Sequence, residues 1–131
     1  MGGYAAILFG CLLDADQVLA FSARTLVDGQ RRDICVSDRG FELVQAVSRL
    51  RRAQRQYFDL RPIIEQSKAR GVNLYYASDL RADKWHAERL EGLPNVTLHR
   101  FEMGGHSMIR TLRDRGDPAE MLASAVEGPV P

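Results

Sequence analysis

Three short apolar runs set the frame of this chain: Gln17-Val18-Leu19-Ala20-Phe21-Ser22, Val72-Asn73-Leu74-Tyr75-Tyr76-Ala77 and Val96-Thr97-Leu98-His99-Arg100-Phe101. Each is too short for a typical helix and too continuously apolar for a half-exposed strand. That pattern suits a strand buried on both faces of a parallel sheet. Between the runs lie stretches of helical periodicity. Strand alternating with helix predicts an α/β fold, a three-layer αβα arrangement of about three parallel strands joined by right-handed crossovers.

The intervening segments read as follows. Tyr4 to Leu13 is apolar nearly all round, as in a helix packed on several sides. Ala23 to Arg39 is polar, without periodicity, and reads as a loop or a small excursion. Phe41 to Tyr57 reads as one helix, with Phe41, Val44, Val47 and Leu50 in a single apolar stripe. Asp59 opens another helix, with Pro62 in its first turn and Gly71 as its C-terminal cap. Ser78 to Asp83 is a polar loop, and Lys84 to Glu91 a short helix stopped by Gly92 and Pro94. A Gly104-Gly105 turn leads His106 into a helix from Met108 to Arg115, closed by Gly116. Asp117-Pro118-Ala119-Glu120 has the N-cap, N1 proline and N3 acid of a last helix, and 126–131 is expected to be a frayed tail.

Composition narrows the function classes. Eighteen Lys and Arg against seventeen Asp and Glu leave a formal charge of +1, which does not suggest a polyanion-binding surface. The basic run Arg49-Leu50-Arg51-Arg52-Ala53-Gln54-Arg55 is read as a solvated helix face, and no nucleic-acid partner is expected. Cys11 and Cys35 both sit in apolar company, so buried free thiols in a reducing compartment are expected, not a disulfide framework. No apolar run approaches the roughly 20 residues needed to cross a bilayer, and the first residues lack a basic signal-peptide region. The expected setting is cytoplasmic, without membrane contact. Asp83, His86 and His106 do not have a recognisable metal-ligand spacing, and no metal or other cofactor is expected. The glycines at the start lack the preceding strand that a dinucleotide fingerprint needs.

The opening Met1-Gly2-Gly3-Tyr4-Ala5-Ala6, running into Ile7-Leu8-Phe9-Gly10, resembles the second half of the nucleophile elbow of the α/β-hydrolase family. In that family the turn is commonly written G-x-S-M-G-G, with a helix of small and apolar residues behind it. The sequence starts at the Met of this pattern. The resemblance extends from Met1 to about Leu122 and implies the C-terminal portion of an α/β-hydrolase core, beginning just after the nucleophile serine. It implies a serine esterase or related acyl hydrolase as the parent, acting on a small-molecule ester or acyl substrate. Met1, Gly2 and Gly3 would belong to the elbow and oxyanion hole.

In the family the triad follows the order serine, acid, histidine, with the last two on loops after the final strands. His106, behind two glycines and ahead of a helix, matches the histidine. The acid is Asp79 or Asp83. Asp79 follows the Val72–Ala77 run by two residues and is preferred, because Asp83 opens Asp83-Lys84-Trp85-His86-Ala87 and is a ready helix N-cap.

Two function classes follow. In the first, the chain is part of a serine-dependent hydrolase and is inactive alone, for want of its nucleophile. In the second, it is a non-catalytic remnant or protein-interaction domain of the same fold. Either way an open sheet edge invites self-association. The substrate is not legible.

Overall fold

The central element of the computed structural model is β2 (Gly71–Ala77), which pairs in parallel with β1 (Gln17–Phe21) on one side and β3 (Val96–Phe101) on the other. The structure describes residues 2–50, 52–116, 119–120 and 123; Met1, the start of the expected last helix at Asp117-Pro118 and the tail 126–131 lie outside them. The five α-helices given bounds among the described residues are α1 (Gly2–Leu12), α2 (Asp38–Ser48), α3 (Leu60–Gln66), α4 (Arg81–Glu88) and α5 (Met108–Asp114). The architecture is the α/β class expected from the strand–helix alternation.

Strand periodicity divides the sheet into two faces. Val18, Ala20, Val72, Leu74 and Tyr76 join Ile7 and Cys11 of α1, Leu60 and Ile64 of α3, and Ala87 of α4 in the main core. Ile7, Leu60, Ile64 and Val72 are fully buried, each contributing about 1.5–3 kcal/mol relative to an exposed side chain. On the opposite face Leu19, Phe21, Tyr75, Ala77 and Phe101 pack with Met108 and Leu112 of α5. There the register Phe21–Tyr75–His99 stacks three rings across three strands, with centroids 4.8 and 4.2 Å apart. Cys11 and Cys35 are buried and unpaired.

Three of the boundaries that differ from the sequence reading change how the chain is built. The single helix expected over Phe41–Tyr57 is two pieces: α2 ends at Ser48, and a 3-10 segment runs from Arg52 to Tyr57. Ser48 Oγ donates back to the Gln45 carbonyl at 2.7 Å, and Leu50, the next residue of the stripe, has no core to enter and is exposed. Gly71 does not cap α3 but begins β2. The helix stops at Gln66, where Ser67 turns extended and its Oγ donates to the Ile64 carbonyl at 3.0 Å. Finally, α4 starts at Arg81, inside the expected polar loop, with Leu80 at its N-cap making no side-chain capping bond. Asp83 therefore lies within the first turn and is not the cap.

The 23–39 excursion is more ordered than its polarity suggested. It carries a bridge between Leu26 and Asp59 and a 3-10 turn at Arg32–Ile34, and Val27 and Cys35 pack with Val44 in a satellite cluster. A buried histidine pins it to α4. His86 Nδ1 accepts the Thr25 N–H at 3.1 Å, and Nε2 donates to the Ile34 carbonyl at 2.9 Å. Arg89, one turn on, donates to the Thr25 carbonyl at 3.1 Å and to Asp59 at 2.8 Å. The same Asp59 carboxylate caps α3 by accepting the Arg61 N–H.

Candidate functional site

In an open parallel sheet, the loops that leave the carboxyl ends of the strands gather on one side and form the natural crevice. Here the loop after β3 passes through Gly104 and Gly105, with φ of +151° and +60°. Both values are costly for a residue with a Cβ, so the glycines permit the turn that delivers His106. The loop after β2 is short, and α4 begins at once, which carries Asp83 to the same place. His106 Nδ1 lies 3.1 Å from each carboxylate oxygen of Asp83.

The two side chains differ sharply in exposure. That of Asp83 is 3% exposed and that of His106 is 51% exposed. A buried carboxylate thus orients an imidazole that faces outward. With Nδ1–H donated to Asp83, the neutral ring leaves Nε2 bare, and among the described residues Nε2 has no hydrogen-bond partner. A ring held so can accept a proton at Nε2 and return it. Burial pushes the Asp83 carboxyl above the ordinary carboxylate value, while the hydrogen bond to His106 and the nearby Ser22 and Arg24 pull the other way.

The pair borders a cleft of about 170 Å³ also lined by Ser22, Arg24, Ser37, Gly40 and His86. Ser22 follows β1 in the left-handed region, at φ +47°, and is 8% exposed. It sits close enough to favour the ionised form of Asp83, yet its Oγ makes no hydrogen bond of good geometry among the described residues. The next residue, Ala23, packs against Gly3 of α1. The start of α1 therefore stands at the carboxyl end of β1, beside the cleft wall.

Of the residues singled out from the sequence, the structure brings His106 and Asp83 together. Asp79 is exposed and makes no hydrogen bond to His106 among the described residues, so the carboxylate that meets the imidazole is Asp83 and not the preferred Asp79. Gly2 and Gly3 open α1, and Met1 lies outside the described residues. His86 has both ring nitrogens engaged, and burial lowers its pKa to about 4, so it is a neutral structural group and not a ligand. Ser22 and Arg24 escaped the sequence reading, although their place just after a parallel strand was a usable signal.

The fold and this site define an α/β protein with a histidine–carboxylate pair at the carboxyl end of its parallel sheet. Comparison with protein families, with curated proteins and with solved structures finds no match for the chain. Among the described residues no helix is long and apolar enough to cross a membrane.

Proposed function

We propose that this chain carries the acid–base half of an α/β-hydrolase-type site, with Asp83 orienting His106 as general base for a serine nucleophile supplied from outside these 131 residues. The observation that supports the reading is the contact of His106 Nδ1 with both oxygens of the buried Asp83, with Nε2 left free among the described residues. A second support is the position of Gly3 at the carboxyl end of β1. The residue before Met1 in the elbow pattern would then stand at the head of α1, near the cleft. In that arrangement His106 takes the proton of the serine hydroxyl as it attacks an ester carbonyl, and later gives it to the leaving alkoxide. Asp83 stabilises the imidazolium that forms between those events.

The test uses an activated acetate ester and a fluorophosphonate probe. The chain alone gives no turnover and no labelling. A chain extended by a strand and a Gly-x-Ser turn ahead of Met1 gives both. His106→Ala or Asp83→Asn then reduces turnover by roughly a thousandfold or more. Saturable turnover by the unextended chain, lost in His106→Ala, would mean that a serine within it, such as Ser107 or Ser22, is the nucleophile.

A further inference from the structure

Arg24 lines the same cleft as the histidine. Arg24 is half-buried, and among the described residues its guanidinium has a single hydrogen-bond partner, the Cys35 sulfur at 3.5 Å. Thiol sulfur is a weak acceptor, whereas a guanidinium offers five N–H donors in a fixed fork that matches a carboxylate. Among the described residues no carboxylate forms an ion pair with it: Asp38 pairs with Arg32, Asp33 with Arg31, Asp59 with Arg89, and Asp83, which lies nearby, with His106.

The guanidinium also stands beside the first turn of α2. A Cβ built on Gly40 would lie 3.9 Å from Arg24 Nη2 and 3.2 Å from Ser37 Oγ. Ser37 is the N-cap, its Oγ accepting the Gly40 N–H at 3.1 Å. The amino end of an eleven-residue helix carries partial positive charge, and the one acid of its first turn, Asp38, is paired with Arg32, so an anion beside the Arg24 guanidinium would be favoured there. Ser22, lining the same cleft, supplies an independent sign of a missing group. It is more than nine-tenths buried, held in the left-handed region, and among the described residues its Oγ has no well-formed partner. A buried hydroxyl left so has lost its water without a replacement, and a ligand oxygen would satisfy it.

We propose that this cleft binds a carboxylate, with Arg24 as its anchor, so that the substrate of the site is an ester or acyl compound bearing a second, anionic carboxyl group. Among the described residues Asp83 is the one carboxylate lining the cleft; both its oxygens face His106 Nδ1, and Arg24 nearby offsets part of its charge. His86, the other titratable neighbour, is held neutral by its burial. The inference rests on the hydrolytic reading for its substrate class, but it is tested by binding alone. Failure to bind thus leaves that reading standing, and failure to hydrolyse leaves the binding result intact.

The experiment is a titration of the isotope-labelled chain with propionate, against the neutral isostere propionamide, at constant ionic strength, read at the amides of Gly40 and the Nε–H of Arg24. Propionate is expected to give saturating shifts at millimolar concentration. Arg24→Gln weakens the binding at least tenfold, and Arg24→Lys weakens it less. Propionamide gives no saturation. The amide spectrum of each variant reports that it is folded, and Arg24→Lys keeps the charge should Arg24→Gln disturb the loop. Linear, unsaturating shifts, equal shifts at Arg31 and Arg32 outside the cleft lining, or saturation unchanged in both Arg24 variants would overturn the proposal.

Discussion

Gly3 meets Ala23 across the junction of α1 and β1 so closely that a Cβ on Gly3 would lie 2.7 Å from the Ala23 Cβ and 2.8 Å from its Cα. The obstruction is largely backbone and cannot swing aside. Gly2, one residue earlier, has nothing within 4 Å of the same construction. Gly3→Ala should therefore destabilise the chain by about 1–3 kcal/mol, through overpacking that outweighs the gain in helix propensity. Gly2→Ala should be neutral or slightly stabilising. Urea unfolding of both variants checks the contrast, and equal effects would remove the reason for a glycine at position 3.

The pH dependence of stability follows from His86. Burial, with Arg24, Arg89 and Arg31 adding to it, lowers its pKa from 6.5 to about 4, against the opposing hydrogen bond to Ile34. Between those values the unfolded chain binds the proton and the folded chain does not. Stability is therefore full above about pH 6.5 and falls as pH drops toward 4, by roughly 3 kcal/mol from this group. Asp83 works in the opposite sense, because its raised pKa favours the folded state once it is protonated, from its folded value downward. Comparing wild type with His86→Gln cancels the Asp83 contribution. The measurement is urea unfolding at several pH values from 7.5 to 4, where the difference in stability between the two proteins should shrink as pH falls. A constant difference would contradict the buried neutral histidine.

Association is expected from α1 and β1 together. Phe9, Leu12 and Leu13 are exposed, Leu13 at 78%, and β1 pairs on one side only among the described residues. An unpaired strand edge beside exposed apolar side chains is a template for self-association. Light scattering should show mass rising with concentration, and Phe9→Lys with Leu13→Lys should suppress the rise. A monomer at every concentration would show that this face is inert.

Much of this architecture was legible because strands buried on both faces leave unbroken apolar runs. Val96–Phe101 carries the bounds expected of it, and β1 and β2 differ from theirs by one residue. Helix ends were less legible, because local side-chain bonds decided them. Ser48 and Ser67 turn back on carbonyls three residues earlier, and no periodicity announces that. The glycine pair ahead of His106 marked its turn plainly. The choice between Asp79 and Asp83 depended on whether α4 began at Arg81 or Lys84, a difference of one turn that swings a carboxylate from solvent to interior. Ser22, Arg24 and His86 were hidden because their roles come from residues distant in sequence, such as Thr25 with His86.

The arrangement of His106 is tested most directly by nitrogen NMR of its ring in the wild type, Asp83→Asn and Asp79→Asn. At a pH where the ring is neutral, the wild type should show Nδ1 protonated and Nε2 bare, held by the carboxylate 3.1 Å away. Asp83→Asn should mix the tautomers and broaden the Nδ1–H signal, while Asp79→Asn leaves both unchanged. An Nε2-protonated ring in the wild type, or one that responds to Asp79 and not to Asp83, would contradict the acid–base pair on which the proposed function stands.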